Sequence, residues 1–153
     1  MSQKIKKYST SDFDQCVYIF KSNMPEYFAK DELSDFQKYL KNISKIKDGW
    51  NDSFFILNRD KKIVGCAGLG INKSKKIATL SWGMVARNYH GKGIGSQLTK
   101  YRLNLLQSYK LDLKISLDTS QHSYLFYEKF GFKMVDIEHD GYEKGMHKYN
   151  MVY

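Results

Sequence analysis

Apolar residues recur along the chain at two periods, and the changes of period mark its elements. In SDFDQCVYIFKSNM, Phe13, Cys16, Val17 and Phe20 stand three or four apart, the spacing of one helical face. Ser11 offers a cap before them, and Pro25 marks the end of the helix. Leu33, Phe36, Leu40, Ile43 and Ile46 repeat the spacing and predict a second helix over 30–47, closed by Asp48-Gly49. IKKY, near the start, reads as a short strand. SFFILNRDKKIVGCAGLGI holds two apolar stretches around the polar Asn58-Arg59-Asp60-Lys61, a hairpin signal, and ATLSWGMV adds a third strand. HGKGIGSQLTKYRLNLLQ opens on glycines and carries Ile94, Leu98, Tyr101 and Leu105 on one helical face. LKISLD alternates like a strand. SYLFYEKF is a short helix with Gly131 as its left-handed cap. FKMVDIEH and GMHKYNMVY are the last two strands.

The predicted order is one strand, two helices, three strands, a helix, a strand, a helix and two strands. Strand 77–86, helix 93–109 and strand 113–118 form a β-α-β unit, whose strands should pair parallel with a right-handed crossover. The hairpins on either side make the sheet mixed. The fold class is α/β (α+β), one sheet with helices on its faces. No repeat or Pro-rich linker interrupts the chain, so a single domain over 1–153 is expected.

Composition narrows the class. The 153 residues are 42% hydrophobic and 27% charged, which excludes a long disordered chain. No apolar run approaches the roughly 18 residues of a membrane helix. MSQKIKKYST has lysines but no apolar block behind them, so no secretory signal is expected. Cys16 and Cys66 stand far apart and form no CxxC pair, which makes a reducing cytoplasm the expected location. The histidines at 90, 122, 139 and 147 show no metal-ligand spacing, and no metal is expected. The net charge of +9 is not evenly spread. Residues 51–110 hold eleven Lys or Arg against only Asp52 and Asp60, a local balance of +9. That segment suits an anionic partner or a solvated lysine-rich surface.

The charged segment contains Val85-Ala86-Arg87-Asn88-Tyr89-His90-Gly91-Lys92-Gly93-Ile94-Gly95-Ser96, between a strand and a helix. Glycines allow a tight turn and close approach to a ligand, and the helix start aims its free N–H groups and dipole at the same loop. The combination is an anion cradle suited to phosphate. A Walker loop is excluded because GxxxxGK followed by Ser or Thr is absent. A dinucleotide fingerprint fits imperfectly: from Gly91 its third glycine falls on Ser96. Asp118 stands where a ribose ligand would, but too little chain follows for the second half of such a sheet.

A third reading resembles the pyrophosphate loop of the GNAT acetyltransferase superfamily, Arg/Gln-x-x-Gly-x-Gly/Ala, with His90, Gly93 and Gly95 on the motif positions. Ser120-Gln121-His122-Ser123-Tyr124-Leu125-Phe126-Tyr127-Glu128-Lys129-Phe130-Gly131-Phe132 is similar to the second signature of that superfamily, Asn-x-x-Ala-x-x-x-Tyr-Glu-Lys-x-Gly-Phe. The two come in the right order and about the right distance apart. The element order also resembles the superfamily over essentially the whole chain, most firmly over 77–132. The chain departs from the pattern at His90, Arg87, Ser120 and Ser123, where Arg or Gln, Pro, Asn and Ala are usual.

The resemblance implies a GNAT-like mixed, mostly antiparallel sheet with helices on both faces. It also implies an acetyl-CoA-dependent N-acetyltransferase, with acetyl-CoA as cosubstrate and no metal. Backbone N–H groups at Val85 and Arg87 would pair with the pantetheine arm. His90, Gly91, Lys92, Gly93, Ile94, Gly95 and Ser96 would hold the pyrophosphate, and Ser120 and Ser123 would lie along the pantetheine. Tyr127 would sit near the sulfur as general acid, against the plainer role of a core residue among 12 tyrosines. The acceptor would be a primary amine on a small molecule or peptide, attacking the thioester directly. Glu26, Glu32, Glu143, His122 and His139 are the candidates for its base. Trp82, in a strand, reads first as core packing. A non-catalytic CoA-binding sensor and a basic nucleic-acid-binding module are the rival readings, and a homodimer is left open. No membrane partner is expected.

Overall fold

The computed structural model describes residues 2–153. Its elements, in chain order, are β1 (Gln3–Lys7), α1 (Phe13–Ser22), α2 (Glu32–Asn42), β2 (Asn51–Arg59), β3 (Lys62–Asn72), β4 (Ile77–Val85), α3 (Ile94–Ser108), β5 (Lys114–Thr119), α4 (Tyr124–Glu128), β6 (Lys133–Glu143) and β7 (Met146–Val152). Short 3-10 turns at Thr10–Asp12 and Arg87–Tyr89 precede α1 and the glycine loop. The order of elements is the one the apolar pattern predicts.

The strands form one seven-stranded sheet in the order β1-β2-β3-β4-β5-β7-β6. Every neighbouring pair is antiparallel except β4 and β5, the pair joined by the α3 crossover. Alternation along the strands sends side chains to two faces. On one face, Phe54, Ile56, Cys66 and Met84 pack under Cys16, Phe20, Phe36 and Leu40 of α1 and α2. On the other, Leu69, Ile71, Ala78, Leu80 and Leu117 pack under Leu103 and Leu106 of α3. Both cysteines are buried and free.

Several boundaries differ from the sequence expectation, and β6 runs on to Glu143, four residues past FKMVDIEH. The second helix stops at Asn42 rather than running to 47. Asp48 and Gly49 take positive φ, and Lys47 bridges to Trp50, so the chain turns back into β2 and leaves Ile46 71% exposed. Ser11 does not cap the first helix. A 3-10 turn comes first, held by Ser9, whose N–H and hydroxyl both donate to Asp12 Oδ2. The β2–β3 connection is tighter than four residues. Asp60 and Lys61, both at positive φ, form a two-residue turn of the kind that matches strand twist.

Candidate functional site

The parallel pair at the centre of the sheet is short. β4 and β5 are registered only at Ile77–Lys114, Ala78–Ile115 and Thr79–Ser116. Beyond Thr79 the two strands diverge, and from Leu117 to Thr119 β5 keeps only its pairing with β7 on the other edge. β4 also carries a bulge. Gly68 faces Ser81 and Cys66 faces Met84, so Trp82 and Gly83 together oppose Ala67. Trp82 takes φ +48 there, a conformation uncommon for a bulky side chain. Bulge and divergence open a cavity of about 820 Å³ between the strands.

The glycine loop closes one end of this cavity. Gly91 and Gly93 have φ +76 and +80, and a Cβ on either would meet nothing within 4 Å. Their role is therefore backbone conformation, with open space in front of them. Gly93 is the residue before α3, whose 15 residues start at the cavity, so the free N–H groups of the first turn border it. At Gly95 an added Cβ would stand 3.3 Å from Phe126 Cζ, which lets α4 lie close against α3. Such a cradle suits an anion.

Most of the residues singled out from the sequence meet at this cavity. Val85, His90, Gly91, Gly93, Ile94, Gly95, Ser96, Ser120, Ser123 and Tyr127 line it. Arg87 and Lys92 do not. The Arg87 side chain pairs with Glu26 and lies over the Tyr27 ring at 5.2 Å, and Lys92 lies over the Tyr89 ring at 5.2 Å. The Arg87 N–H, expected to be free for the pantetheine arm, donates to Ser22 Oγ at 3.2 Å. His90, exposed at the cavity rim, places its Nε2 2.9 Å from the Val85 carbonyl oxygen. Ser120 is buried and its Oγ accepts the His122 N–H, fixing the turn before α4.

The base candidates separate in the same way. Glu32 and His122 line the cavity. Glu26 is paired with Arg87, and Glu143 accepts the Lys30 N–H. His139 is stacked on His147 at 4.3 Å on the β6–β7 arm, beside Asp140. That trio could offer three ligand atoms, but His147 Nδ1 already accepts the Asp140 N–H.

Among the lining residues that the sequence did not assign to the site, four bear most on its geometry. Asn23, 2% exposed, donates from Nδ2 to the carbonyls of Ile19 and Val85, tying the end of α1 to the end of β4. Tyr142 donates its hydroxyl to Asp118, and burial together with that carboxylate holds its phenol above the ordinary range. Trp82 packs on Phe36 at 5.2 Å, so it joins the core and also faces the cavity. Arg102 of α3 is 1% exposed and reaches the cavity beneath the bulge. Burial raises the Glu32 carboxyl above its usual value. The Ala29 N–H opposes that shift, and Asp118, Asp35 and Glu143 add to it.

Residues 24–153 match the family described as Acetyltransferase (GNAT) domain. The chain belongs to that family and is an N-acetyltransferase. Solved structures agree on the fold. A putative acetyltransferase of the GNAT family from Desulfovibrio desulfuricans superposes with TM-score 0.81 at 18% identity, covering 99% of this chain and 98% of its own. The ribosomal-protein-S18-alanine N-acetyltransferase from Escherichia coli gives TM-score 0.77 at 16% identity, covering 99% and 92%. An aminoglycoside 6'-N-acetyltransferase complexed with coenzyme A gives 0.73 at 15%, covering 98% and 96%. No curated protein matches the sequence. No helix among the described residues is long and apolar enough to cross a membrane.

Proposed function

We propose that this chain transfers the acetyl group of acetyl-CoA to a primary amine on a small molecule or peptide, by direct attack of the amine on the thioester carbonyl. Acetyl-CoA supplies the activated acyl group. The loop His90–Ser96 and the start of α3 suit its diphosphate, and Ser120 and Ser123 the pantetheine. The carbon–nitrogen bond forms as the carbon–sulfur bond breaks. The amine gives up one proton, and the departing thiolate takes one from the Tyr127 hydroxyl.

One observation carries this reading. The Tyr127 hydroxyl stands at Gly83, where β4 bulges and parts from β5: a Cβ on Gly83 would lie 3.0 Å from Tyr127 Oη. A phenol there can reach a leaving group held between the strands. Glu32 is the base we assign. It lines the same cavity, and burial raises its proton affinity above that of an ordinary carboxylate, which favours it as a proton acceptor. Tyr27, Phe28, Trp82 and Tyr142 line the same cavity, and these with Asp118 suit an ammonium group arriving before it is deprotonated.

The test is thiol release from acetyl-CoA against a panel of spermidine, cadaverine, lysine, kanamycin and short peptides with free N-termini. Release that depends on at least one of these amines, with the acetylated amine found by mass spectrometry, is expected. Binding of CoA without amine-dependent release across primary amines would contradict the reading.

A further inference from the structure

Arg102 is a cation in the wrong place for packing alone. It is 1% exposed and forms no ion pair among the described residues. A guanidinium has five N–H donors in a fixed fork. Nε donates to the Leu98 carbonyl at 3.2 Å. Nη1 donates to the carbonyls of Gly68 at 3.0 Å and Ser81 at 3.5 Å, the pair that flanks the β4 bulge. Nη2 reaches Thr99 Oγ1 at 3.5 Å, and that hydroxyl spends its own proton on the Gly95 carbonyl. Four donors are thereby accounted for, and the fifth is on Nη2.

That nitrogen and the Tyr127 hydroxyl both lie close to Gly83. A Cβ built on Gly83 would stand 3.0 Å from Tyr127 Oη and 3.3 Å from Arg102 Nη2. Burial disfavours the charged guanidinium, and Tyr127 is the foremost influence acting the other way, ahead of Tyr39 and Cys66.

We propose that Arg102 is a positioning residue for Tyr127: Nη2 donates to Tyr127 Oη, so that the single phenolic proton points into the cavity. The inference rests on the reading of Tyr127 as the acid. A hydroxyl has one proton and accepts through its oxygen. With the oxygen engaged by Arg102, the proton is left for the departing thiolate. The fixed charge also offsets the negative charge that Oη gains as the proton leaves, an interaction stronger in the transition state than before it. The carbonyls of Gly68 and Ser81 hold the fork in place, so the bulge that opens the cavity also aims the acid.

The experiment is a double-mutant cycle on kcat and KM, with acetyl-CoA and the panel amine that turns over fastest. Arg102→Met is measured in the wild-type and the Tyr127→Phe backgrounds. With Tyr127 present, kcat should fall at least tenfold while the KM for acetyl-CoA changes less than threefold. In the Tyr127→Phe background, the same substitution should change kcat less than threefold. Arg102→Lys, which keeps the charge but not the fork, should fall between wild type and Arg102→Met. Gly83→Ala probes the contact from the other side if Arg102→Met does not fold. It leaves the Arg102 side chain intact and wedges the two groups apart, and it should show the same dependence on Tyr127. Equal losses in both backgrounds, or no loss in either, would overturn the positioning role alone. Tyr127→Phe turnover within threefold of wild type would overturn the acid and this inference together.

Discussion

His90 Nε2 lies 2.9 Å from the carbonyl oxygen of Val85, which also accepts Asn23 Nδ2 at 2.9 Å. The last peptide of β4 is thereby tied from two sides, by the residue that opens the glycine loop and by the residue that ends α1. The imidazole at the usual Arg or Gln position thus acts on the protein's own backbone. An arginine in its place keeps a donor for Val85 and adds a fixed charge beside the loop. His90→Arg is expected to leave the CoA dissociation constant within threefold or to lower it, measured by calorimetry. Weakening beyond tenfold would mean that the imidazole has a role a donor cannot replace.

Asn23 carries more of the same junction because it is buried. Asn23→Ala removes two hydrogen bonds, to Ile19 and Val85, whose carbonyls keep only Ser22 Oγ and His90 Nε2 as side-chain donors. Each lost hydrogen bond costs about 0.5–1.5 kcal/mol net, so about 1–3 kcal/mol for the two. Urea unfolding should show a loss of that size, and CoA affinity should weaken as the end of β4 loosens. A loss under about 0.5 kcal/mol would contradict the role given to this tie.

Gly93 is needed for its backbone angle. At φ +80 a side chain costs about 1–2 kcal/mol for most residues, and a β-branched one more. Gly93→Val should keep a native circular dichroism spectrum and lose the calorimetric CoA signal. Retained CoA binding would remove the loop from the site.

Glu32 links stability to activity. Its carboxyl is raised in the fold, burial first and Asp118, Asp35 and Glu143 after, against the Ala29 N–H. The folded protein therefore holds this proton more tightly than the unfolded chain. Stability falls as pH rises from the ordinary carboxylate value of 4.5 through the folded one, and the deficit persists above it. Glu32→Gln removes the titration and keeps an acceptor for Ala29, which Glu32 Oε2 now serves at 2.7 Å. Thermal melts from pH 4 to 7 should show the variant gaining on wild type as pH rises. Turnover at pH 7 should fall about 10²-fold, the lower range for a lost base. Unchanged turnover would remove Glu32 as base.

The sequence carried those parts of the site that depend on local backbone demands. Glycines at 91 and 93 that require positive φ, a strand before them and an apolar helical face after them are local facts, and they lie where the spacing put them. Parts that depend on distant contacts were not legible. Arg102 reads as one more cation of the +9 segment, yet its burial is set by a bulge some twenty residues earlier. Arg87 and Lys92 counted toward the same charge, but neither lines the cavity: Arg87 is engaged by Glu26 and Tyr27, and Lys92 by Tyr89. Ile43 and Ile46 keep helical spacing past the true end of α2 at Asn42: the Asp48-Gly49 turn lies where it was read, but a periodic pattern does not register a helix that stops before it. Asn23 gives no sequence signal at all: its partner Val85 lies 62 residues away.

Tyr127→Phe tests the central claim most directly. It deletes the hydroxyl and keeps the ring, which packs edge-on to Phe126 at 5.0 Å and Phe132 at 6.1 Å. The measurement is kcat on the best panel amine, with CoA affinity determined separately by calorimetry. A fall of about 10²–10⁴ in kcat with little change in CoA affinity is the expected result. Turnover within threefold of wild type, with the amine still acetylated, would contradict it.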